Sequence, residues 1–208
     1  LTAADVKGTN NLEMPVVSQR KKGAGITPCP VIAGDKIRRK GDVIAAVVAD
    51  TEEHAREAAK HVTYDLEILP AYMTLPEAAM PDALQIYDDQ PNQFMFQPMY
   101  KGEDPEDIFD DSAFVVEGSF HSQHEPHLPI ETDVVQGYYD TDGNVTLQCK
   151  CQAFGECRDE IAPACGLDRE KLRIIMNPSG GAFGYPVNST TFGLVCTAVM
   201  TLGIPVTM

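Results

Sequence analysis

The chain has 208 residues, of which 43% are hydrophobic, and its 16 basic and 31 acidic residues give a formal net charge of -15. This composition is typical of a globular protein that can bury a sizeable apolar core. The excess of negative charge repels polyanions, so we expect no nucleic-acid partner. The first eight residues lack a signal-peptide pattern and start with Leu1, which suggests an internal start. The apolar C-terminal run from Phe192 is too short to cross a bilayer, so we expect no membrane partner.

The first part of the chain predicts a compact β-α-β unit. The continuous apolar run from Val43 to Ala49 is typical of a strand covered on both faces. Thr51 is a suitable N-cap for a helix whose alanines recur at helical spacing. Apolar and polar residues then alternate from Val62 to Ile68, which predicts a half-buried strand. Between Met73 and Pro98 the four prolines indicate an ordered but irregular connector.

The second part begins near residue 99. An Asp-Gly pair between two alternating segments predicts a hairpin turn at 141–143. Pro163 is expected to shorten or kink the helix that contains it. The predicted elements are, in chain order, a short acidic helix or turn at 102–111, strands at 114–120, 137–140 and 144–149, a helix at 154–165, a strand at 172–176 and a helix at 189–202.

Six cysteines are spread over the chain without any Cys-x-x-Cys pair, which is the usual clamp for zinc or an iron–sulfur cluster. They are therefore interpreted as buried free thiols, which indicates a reducing compartment and a cytoplasmic location. The six are Cys29, Cys149, Cys151, Cys157, Cys165 and Cys196.

A glycine-rich loop separates the strand at 172–176 from the last helix. Gly180, Gly181 and Gly184 can adopt positive φ and expose main-chain N–H groups, and the following helix would add a partial positive charge. The loop lacks the Lys-Ser/Thr ending of a phosphate-binding loop, so nucleotide binding ranks lowest. Its two remaining interpretations, a ligand-binding loop and a simple tight turn, stay open on these residues alone.

Three histidines at intervals of three, with acidic residues nearby, are of types that ligate metals. In an extended segment His121 and His127 share one face while His124 points away, and Pro126 prevents a helix. We expect ordinary hydrogen-bonded histidines rather than a metal site, and their role remains open. The acidic neighbours are Glu125, Glu131 and Asp133.

A series of motifs follows one another along the chain. They are Thr2-x-x-Asp5-Val6, the segments Gly41 to Ala49 and Val62 to Pro70, His127-x-x-x-Glu131, and Gly180-Gly181-Ala182-Phe183-Gly184. Together they resemble the large, molybdenum-binding subunit of the xanthine oxidase family of molybdenum hydroxylases, above all its bacterial aldehyde oxidoreductase branch. The resemblance covers essentially the whole chain.

The resemblance implies an α+β fold in which a hammerhead-like α/β domain, incomplete at its N-terminus, occupies residues 1–80. A connector at 81–98 would lead to the first part of a mixed α/β molybdenum-cofactor-binding domain at 99–208. The implied activity is oxidation of aldehydes, or of related carbonyl and heterocyclic compounds, with water as the oxygen source.

The family also implies roles for individual residues. The backbone of Gly181, Phe183 and Gly184 would lie beside the oxo and sulfido ligands of molybdenum in the molybdopterin cofactor, and the amide of Gln152 would lie near the apical oxo group. Where purine-oxidising members have Gly-Lys-Glu, this chain has Tyr185-Pro186-Val187. Tyr185 and Val187 are therefore candidates for the wall of an aldehyde pocket. The catalytic base is a glutamate expected downstream, so no catalytic residue is assigned in this chain.

The implied partners are the rest of the large subunit, an iron–sulfur domain or subunit, a flavin subunit and a small-molecule substrate. We expect the chain alone to bind no cofactor and to be inactive, because the family's base and most pterin-binding loops lie outside it. The alternative from a different class is a non-catalytic α/β scaffold or interaction piece.

Overall fold

Regular structure is concentrated in the second half of the chain. The computed structural model describes residues 1–12, 29–93, 101–123, 125–181, 183 and 190–208. The helices of these residues are α1 (Glu52–Ala59), α2 (Leu75–Ala78), α3 (Pro105–Asp111), α4 (Phe154–Cys165) and α5 (Thr190–Leu202). The strands are β1 (Val135–Tyr139), β2 (Val145–Cys149), β3 (Leu172–Met176) and β4 (Val206–Thr207). Short 3-10 helices lie at Ala3–Asp5 and Arg169–Lys171.

The four strands form one mixed sheet in the order β3-β2-β1-β4. β1 pairs antiparallel with both β2 and β4, whereas β2 and β3 pair parallel. A parallel pair requires a crossover between the end of one strand and the start of the next, and α4 lies in that crossover. The sheet therefore has one antiparallel hairpin and one β-α-β unit.

The hairpin between β1 and β2 confirms the predicted Asp-Gly turn. Asp140 accepts hydrogen bonds from the N–H groups of Asp142 (3.0 Å) and Asn144 (2.8 Å). The bond from the Asn144 N–H is the main reason that the pKa of Asp140 is lowered. Gly143 has a φ of +76°, a value that glycine adopts without strain. Sequence-local hydrogen bonds thus fix the register of the hairpin.

The core lies between the sheet and the two long helices. α5 contacts β1, β2 and β4, while α4 contacts α5 and β3. Val195 and Val199 on α5 approach Gly137 so closely that a Cβ there would lie 2.6 Å from Val195 Cγ1. The apolar C-terminal run thus forms the buried helix and short strand that the sequence predicts.

Residues of the N-terminal segment complete this core. Leu12, Val31 and Ile32 are fully buried within the same apolar cluster as the sheet and α4. The N–H groups of Thr9 and Asn10 donate to the carbonyls of Pro163 (3.1 Å) and Ala164 (3.0 Å) at the end of α4. The Pro163 carbonyl also accepts from the N–H of the C-cap Gly166 (3.3 Å), and the N-terminal segment supplies further hydrogen bonds to these last-turn carbonyls.

Helix α1 forms as predicted, and the side chain of its N-cap Thr51 accepts a hydrogen bond from the His54 N–H (3.1 Å). The compact β-α-β unit predicted around this helix does not form in the described residues, since none of the helix residues is buried and neither flanking segment is a strand. The short acidic helix is confirmed as α3, with Asp104 as its N-cap. Residues 73–93 of the predicted connector contain α2 as a single helical turn, and residues 94–98 lie outside the described residues.

Three predicted strands do not form in the described part of the chain. Residues 43–49 are half-buried for most of their length, and only isolated hydrogen bonds hold them, such as the two that Ala46 and Leu1 exchange. Residues 62–68 and 114–120 are exposed, with Ile68 at 94% and Phe120 at 99% exposure. Hydrophobic alternation indicates that a segment is suited to a sheet, but a strand also needs a neighbour with free N–H and C=O groups.

All six cysteines are buried and none forms a disulfide bond, as predicted. None of the helices in the described part of the chain is both long and apolar enough to span a bilayer.

Gly137→Ala is expected to lower the free energy of unfolding by about 1–3 kcal/mol, the usual cost of overpacking a core. Its Cβ would lie 2.6 and 2.9 Å from the methyl groups of Val195 and Val199. Gly155→Ala is the matched control, because its Cβ meets nothing within 4 Å and replaces a helical glycine. This control should raise stability by roughly 0.5–1 kcal/mol. Urea unfolding of both variants measures the contrast, and equal effects would contradict the packing described here.

Candidate functional site

The candidate site lies at the edge of the sheet where β2 and β3 end. Cys149 and Met176 are the last paired residues of these parallel strands. Beyond them the Asn177 N–H donates to the Cys149 carbonyl (2.9 Å), and Gln148 Nε2 donates to Asn177 Oδ1 (3.0 Å). β1 runs the other way and begins at this edge, with Val135 opposite Cys149. Segments 131–134, 150–153 and 177–181 therefore meet where sheets with parallel strands commonly bind ligands.

The glycine loop leaves β3 at this edge and presents main chain. Gly181 has a φ of +114° and Phe183 a φ of +50°. Among the described residues, a Cβ on Gly181 would approach only Phe183 Cε2, at 3.7 Å. Gly180 does not have positive φ, contrary to expectation; its Cβ would lie 3.1 Å from the Cβ and Oε2 atoms of Glu131. Glycine thus suits the two positions for different reasons. At position 181 it allows the backbone conformation, and at position 180 it allows the close approach of Glu131.

Glu131 and Lys150 link the three segments. Glu131 Oε2 accepts a hydrogen bond from the Gly180 N–H. Lys150 Nζ donates to the Glu131 carbonyl (3.0 Å) and lies 3.9 Å from Glu131 Oε2. Only 2% of the Lys150 side chain is exposed, compared with 32% of Glu131. A buried ammonium group requires such partners, because its desolvation is costly.

Gln152 follows β2 by three residues and is exposed at the same edge. It directly precedes Ala153, the N-cap of α4, which has no side chain that could accept from the first-turn N–H groups. The N-terminus of a helix carries a partial positive charge, so this position favours an anionic or strongly polar ligand. The side-chain amide of Gln152 adds a hydrogen-bond donor beside it.

Two thiols near this edge have pKa values that are shifted in opposite directions. Burial raises the pKa of Cys149 to about 12, and nearby Cys151 and Asp133 add to the effect. The Sγ atoms of Cys151 and Cys157 lie 3.3 Å apart. The hydrogen bond between them, helped by the Ala153 N–H, lowers the pKa of Cys151 to about 7 in spite of burial. Cys151 is therefore the more readily ionised of the two.

Two protein-family models match the chain. The family model for the molybdopterin cofactor-binding domain matches residues 86–208. The model for the a/b hammerhead domain of aldehyde oxidase and xanthine dehydrogenase matches residues 1–70. The chain belongs to the xanthine oxidase family of molybdenum hydroxylases.

Individual members of the family resemble the chain over nearly its full length. The aldehyde oxidoreductase of Megalodesulfovibrio gigas is 41% identical over 206 residues, which are 99% of this chain and 23% of the relative. The large molybdopterin subunit of nicotinate dehydrogenase from Eubacterium barkeri is 33% identical over 155 residues, which are 74% of this chain and 36% of the relative. The chain therefore spans about a quarter to a third of the length of these curated relatives.

A solved structure confirms the fold. The aldehyde oxidoreductase from Desulfovibrio gigas superimposes with a TM-score of 0.92 and 39% identity, over 100% of this chain and 23% of that structure. The α+β fold, with hammerhead and molybdenum-cofactor-binding parts, agrees with this likeness.

The residues at the sheet edge fit the cofactor of the family. The described residues around Gly181 leave room for a group close to its main chain. The N-terminus of α4 and the Gln152 amide supply donors that suit the electron-rich atoms of a molybdopterin. Of the predicted site residues, the structure brings Gln152, Gly181 and Phe183 to this one edge. The other three, Gly184, Tyr185 and Val187, lie outside the described residues.

The histidine segment lies in extended, exposed chain before β1. His121 and His127 are both exposed, and His124 lies outside the described residues. Among the residues that the structure describes, no three His, Cys, Asp or Glu side chains converge as a metal site requires.

Sequence reasoning missed Glu131 and Lys150 as parts of the site. Glu131 was noted only as a member of the His127-x-x-x-Glu131 motif and as a residue of metal-ligating type. Lys150 gave one usable signal, since it is a charged residue set between two cysteines at the end of an apolar strand. Its burial depends on the approach of Glu131, which is 19 residues away in sequence.

Proposed function

We propose that this chain forms one wall of the molybdenum-cofactor site of a larger hydroxylase that oxidises aldehydes. The main support is the glycine loop, which leaves the sheet where β2 and β3 end. Gly181 in this loop has positive φ, and among the described residues only Phe183 would contact a Cβ there. The similarity to an aldehyde oxidoreductase supports the substrate class. Tyr185 and Val187 are proposed as pocket residues, since this chain lacks the acidic residue with which purine-oxidising members are expected to hold their substrate.

In this proposal the chain binds and orients, and the chemistry lies elsewhere. When bound, the molybdenum cofactor supplies a two-electron oxidation with water as the oxygen source. Gly181, Phe183 and Gly184 place main-chain groups beside it. The Gln152 amide donates a hydrogen bond to it, and the N-terminus of α4 favours its electron-rich side. The proton acceptor of the reaction is proposed to be a glutamate in another part of the enzyme.

The two matched domain models support the order of the proposed domains, although the cofactor-binding model already begins at residue 86. A hammerhead-like domain occupies residues 1–80, a connector residues 81–98 and the beginning of the cofactor-binding domain residues 99–208. The proposed partners are the rest of the large subunit, an iron–sulfur domain or subunit and a flavin subunit. A cytoplasmic location is proposed from the six free thiols, which persist in a reducing compartment.

Gly181→Val in the complete enzyme is expected to abolish or strongly reduce molybdenum content while the protein still folds. Valine at a φ of +114° costs roughly 1–3 kcal/mol of backbone strain, and its side chain occupies space that the described residues leave free for the cofactor. Gly143→Val is the matched control, because Gly143 also has positive φ (+76°) and open space but lies at the distant hairpin tip. Metal analysis and turnover of both variants separate strain from loss of the cofactor. Normal metal content and turnover in Gly181→Val would leave the loop as a simple turn.

Gln152→Ala is expected to slow turnover with nearly unchanged molybdenum content, since one donor tunes the site without forming its cavity. The loss of transition-state stabilisation should be about 1–3 kcal/mol, the range for one hydrogen bond to a charged or strongly polar group. Gln85→Ala, in the exposed connector, is the control and should leave kcat/KM unchanged. An unchanged rate in Gln152→Ala would place this residue outside the catalytic environment.

The purified 208-residue chain is expected to hold no stoichiometric molybdenum, because it provides only one wall of the pocket and binding needs converging groups. Elemental analysis of the chain after expression beside a complete cofactor pathway tests this. About one molybdenum per chain would show that these residues suffice. A metal-free complete protein would instead favour the alternative of a non-catalytic scaffold.

A further inference from the structure

Packing of the hydrophobic core does not explain why the charged side chain of Lys150 is buried. It lies one residue beyond β2, which is hydrogen-bonded to β1 on one side and to β3 on the other, so its main chain is firmly placed. Its side chain is 2% exposed and its Nζ atom contacts the carbonyl (3.0 Å) and the carboxylate (3.9 Å) of Glu131. Burying an ammonium group is costly, and a lysine at this position therefore indicates a need to hold Glu131 in place.

Glu131 in turn holds the glycine loop. Its carboxylate accepts from the Gly180 N–H across 49 residues of sequence. It also lies close, since a Cβ at position 180 would be 3.1 Å from Glu131 Oε2 and would force the carboxylate to shift by a few tenths of an ångström. A charged acceptor forms a stronger hydrogen bond with a peptide N–H than a neutral one. Lys150 and Glu131 together carry no net charge, so the contact adds no net negative charge beside the ligand.

Such a contact matters because the next residue is Gly181. Two consecutive glycines have more backbone freedom than any other pair, and fixing them in one conformation has a large entropic cost. A site is effective when its donors are already oriented before the ligand arrives. The hydrogen bond to Glu131 fixes the peptide that joins Ser179 to Gly180, so the main chain enters the two glycines in one orientation and fewer orientations remain for the peptide that follows.

We propose that Glu131 is a positioning residue of the cofactor site, which its carboxylate serves by fixing the Ser179–Gly180 peptide at the entry to the glycine turn while Lys150 holds the carboxylate. Strand β2 fixes the main chain at Lys150, Lys150 holds Glu131, and Glu131 holds the loop. This role rests on the proposed function, since it assumes that the loop faces the molybdenum cofactor. Glu131 itself is given no contact with the cofactor or the substrate.

The test uses the complete protein that carries this chain, with Glu131→Ala, Glu131→Gln and the control Glu117→Ala, which alters an exposed glutamate in the extended segment 114–120. Amide hydrogen exchange is followed at Gly180 and Gly181, with β1 and β2 as internal references. Loss of the anchor in Glu131→Ala should accelerate exchange at Gly180 roughly 10- to 100-fold and leave the references unchanged. Glu131→Gln should restore much of the protection, because its amide oxygen can still accept from the Gly180 N–H.

Molybdenum content and steady-state kinetics of the same variants then test the link to function. Glu131→Ala should contain less molybdenum per chain, or show a lower kcat at little changed KM, with partial recovery in Glu131→Gln. Unchanged exchange at Gly180, faster exchange throughout the sheet, or failure of glutamine to restore protection would each overturn the anchoring role. A loosened loop with normal metal content and turnover would overturn the positioning role and leave the proposed function standing. A wild-type protein without molybdenum would overturn both.

Discussion

The parallel pairing of β2 with β3 is the constraint on which the site depends. Because the two strands point the same way, the segments that follow them leave the sheet at one edge, and α4 must carry the chain from one strand to the next. Lys150 and Gln152 follow the first strand, and Gly180 and Gly181 follow the second. The antiparallel start of β1 adds Glu131 to the same edge. Five residues from three distant stretches of sequence thus converge through the direction of the strands alone.

The support for this edge comes from a core in which both parts of the chain take part. The N-terminal segment packs Leu12, Val31 and Ile32 against the cluster formed by the sheet and the two long helices. Its main chain also closes the C-terminus of α4, where Gly8 lies so near that a Cβ would be 2.1 Å from the Pro163 carbonyl oxygen. The helix whose N-terminus borders the site is therefore fixed at its other end by residues from the start of the chain.

Local sequence signals succeeded where the interactions are local. The Asp-Gly hairpin, the N-cap of α1 and the acidic α3 form from contacts between residues at most a few positions apart. The long apolar helix α5 also forms as expected, since its residues are hydrophobic on most sides and it is buried. The strands expected at 62–68 and 114–120 do not form, because a strand depends on a partner that can be distant in sequence. Residues 62–68 alternate apolar and polar side chains, and 114–120 begin with three apolar residues. Ile68 and Phe120 nevertheless remain exposed, because no neighbouring strand pairs with them in the described part of the chain.

The sequence by itself determined the α+β class, the glycine-rich turn after β3, the buried free thiols and, through the order of its motifs, the family. These properties depend on composition, spacing and local backbone preference. Only the tertiary structure showed why each glycine is present. Gly180 has no side chain that would obstruct the approach of Glu131, whereas Gly181 allows a positive φ. The tertiary structure also decided that Lys150 is buried, because the partner that offsets its desolvation is brought near by the sheet and not by the sequence. Contacts between distant residues depend on strand direction and register, which no local pattern encodes.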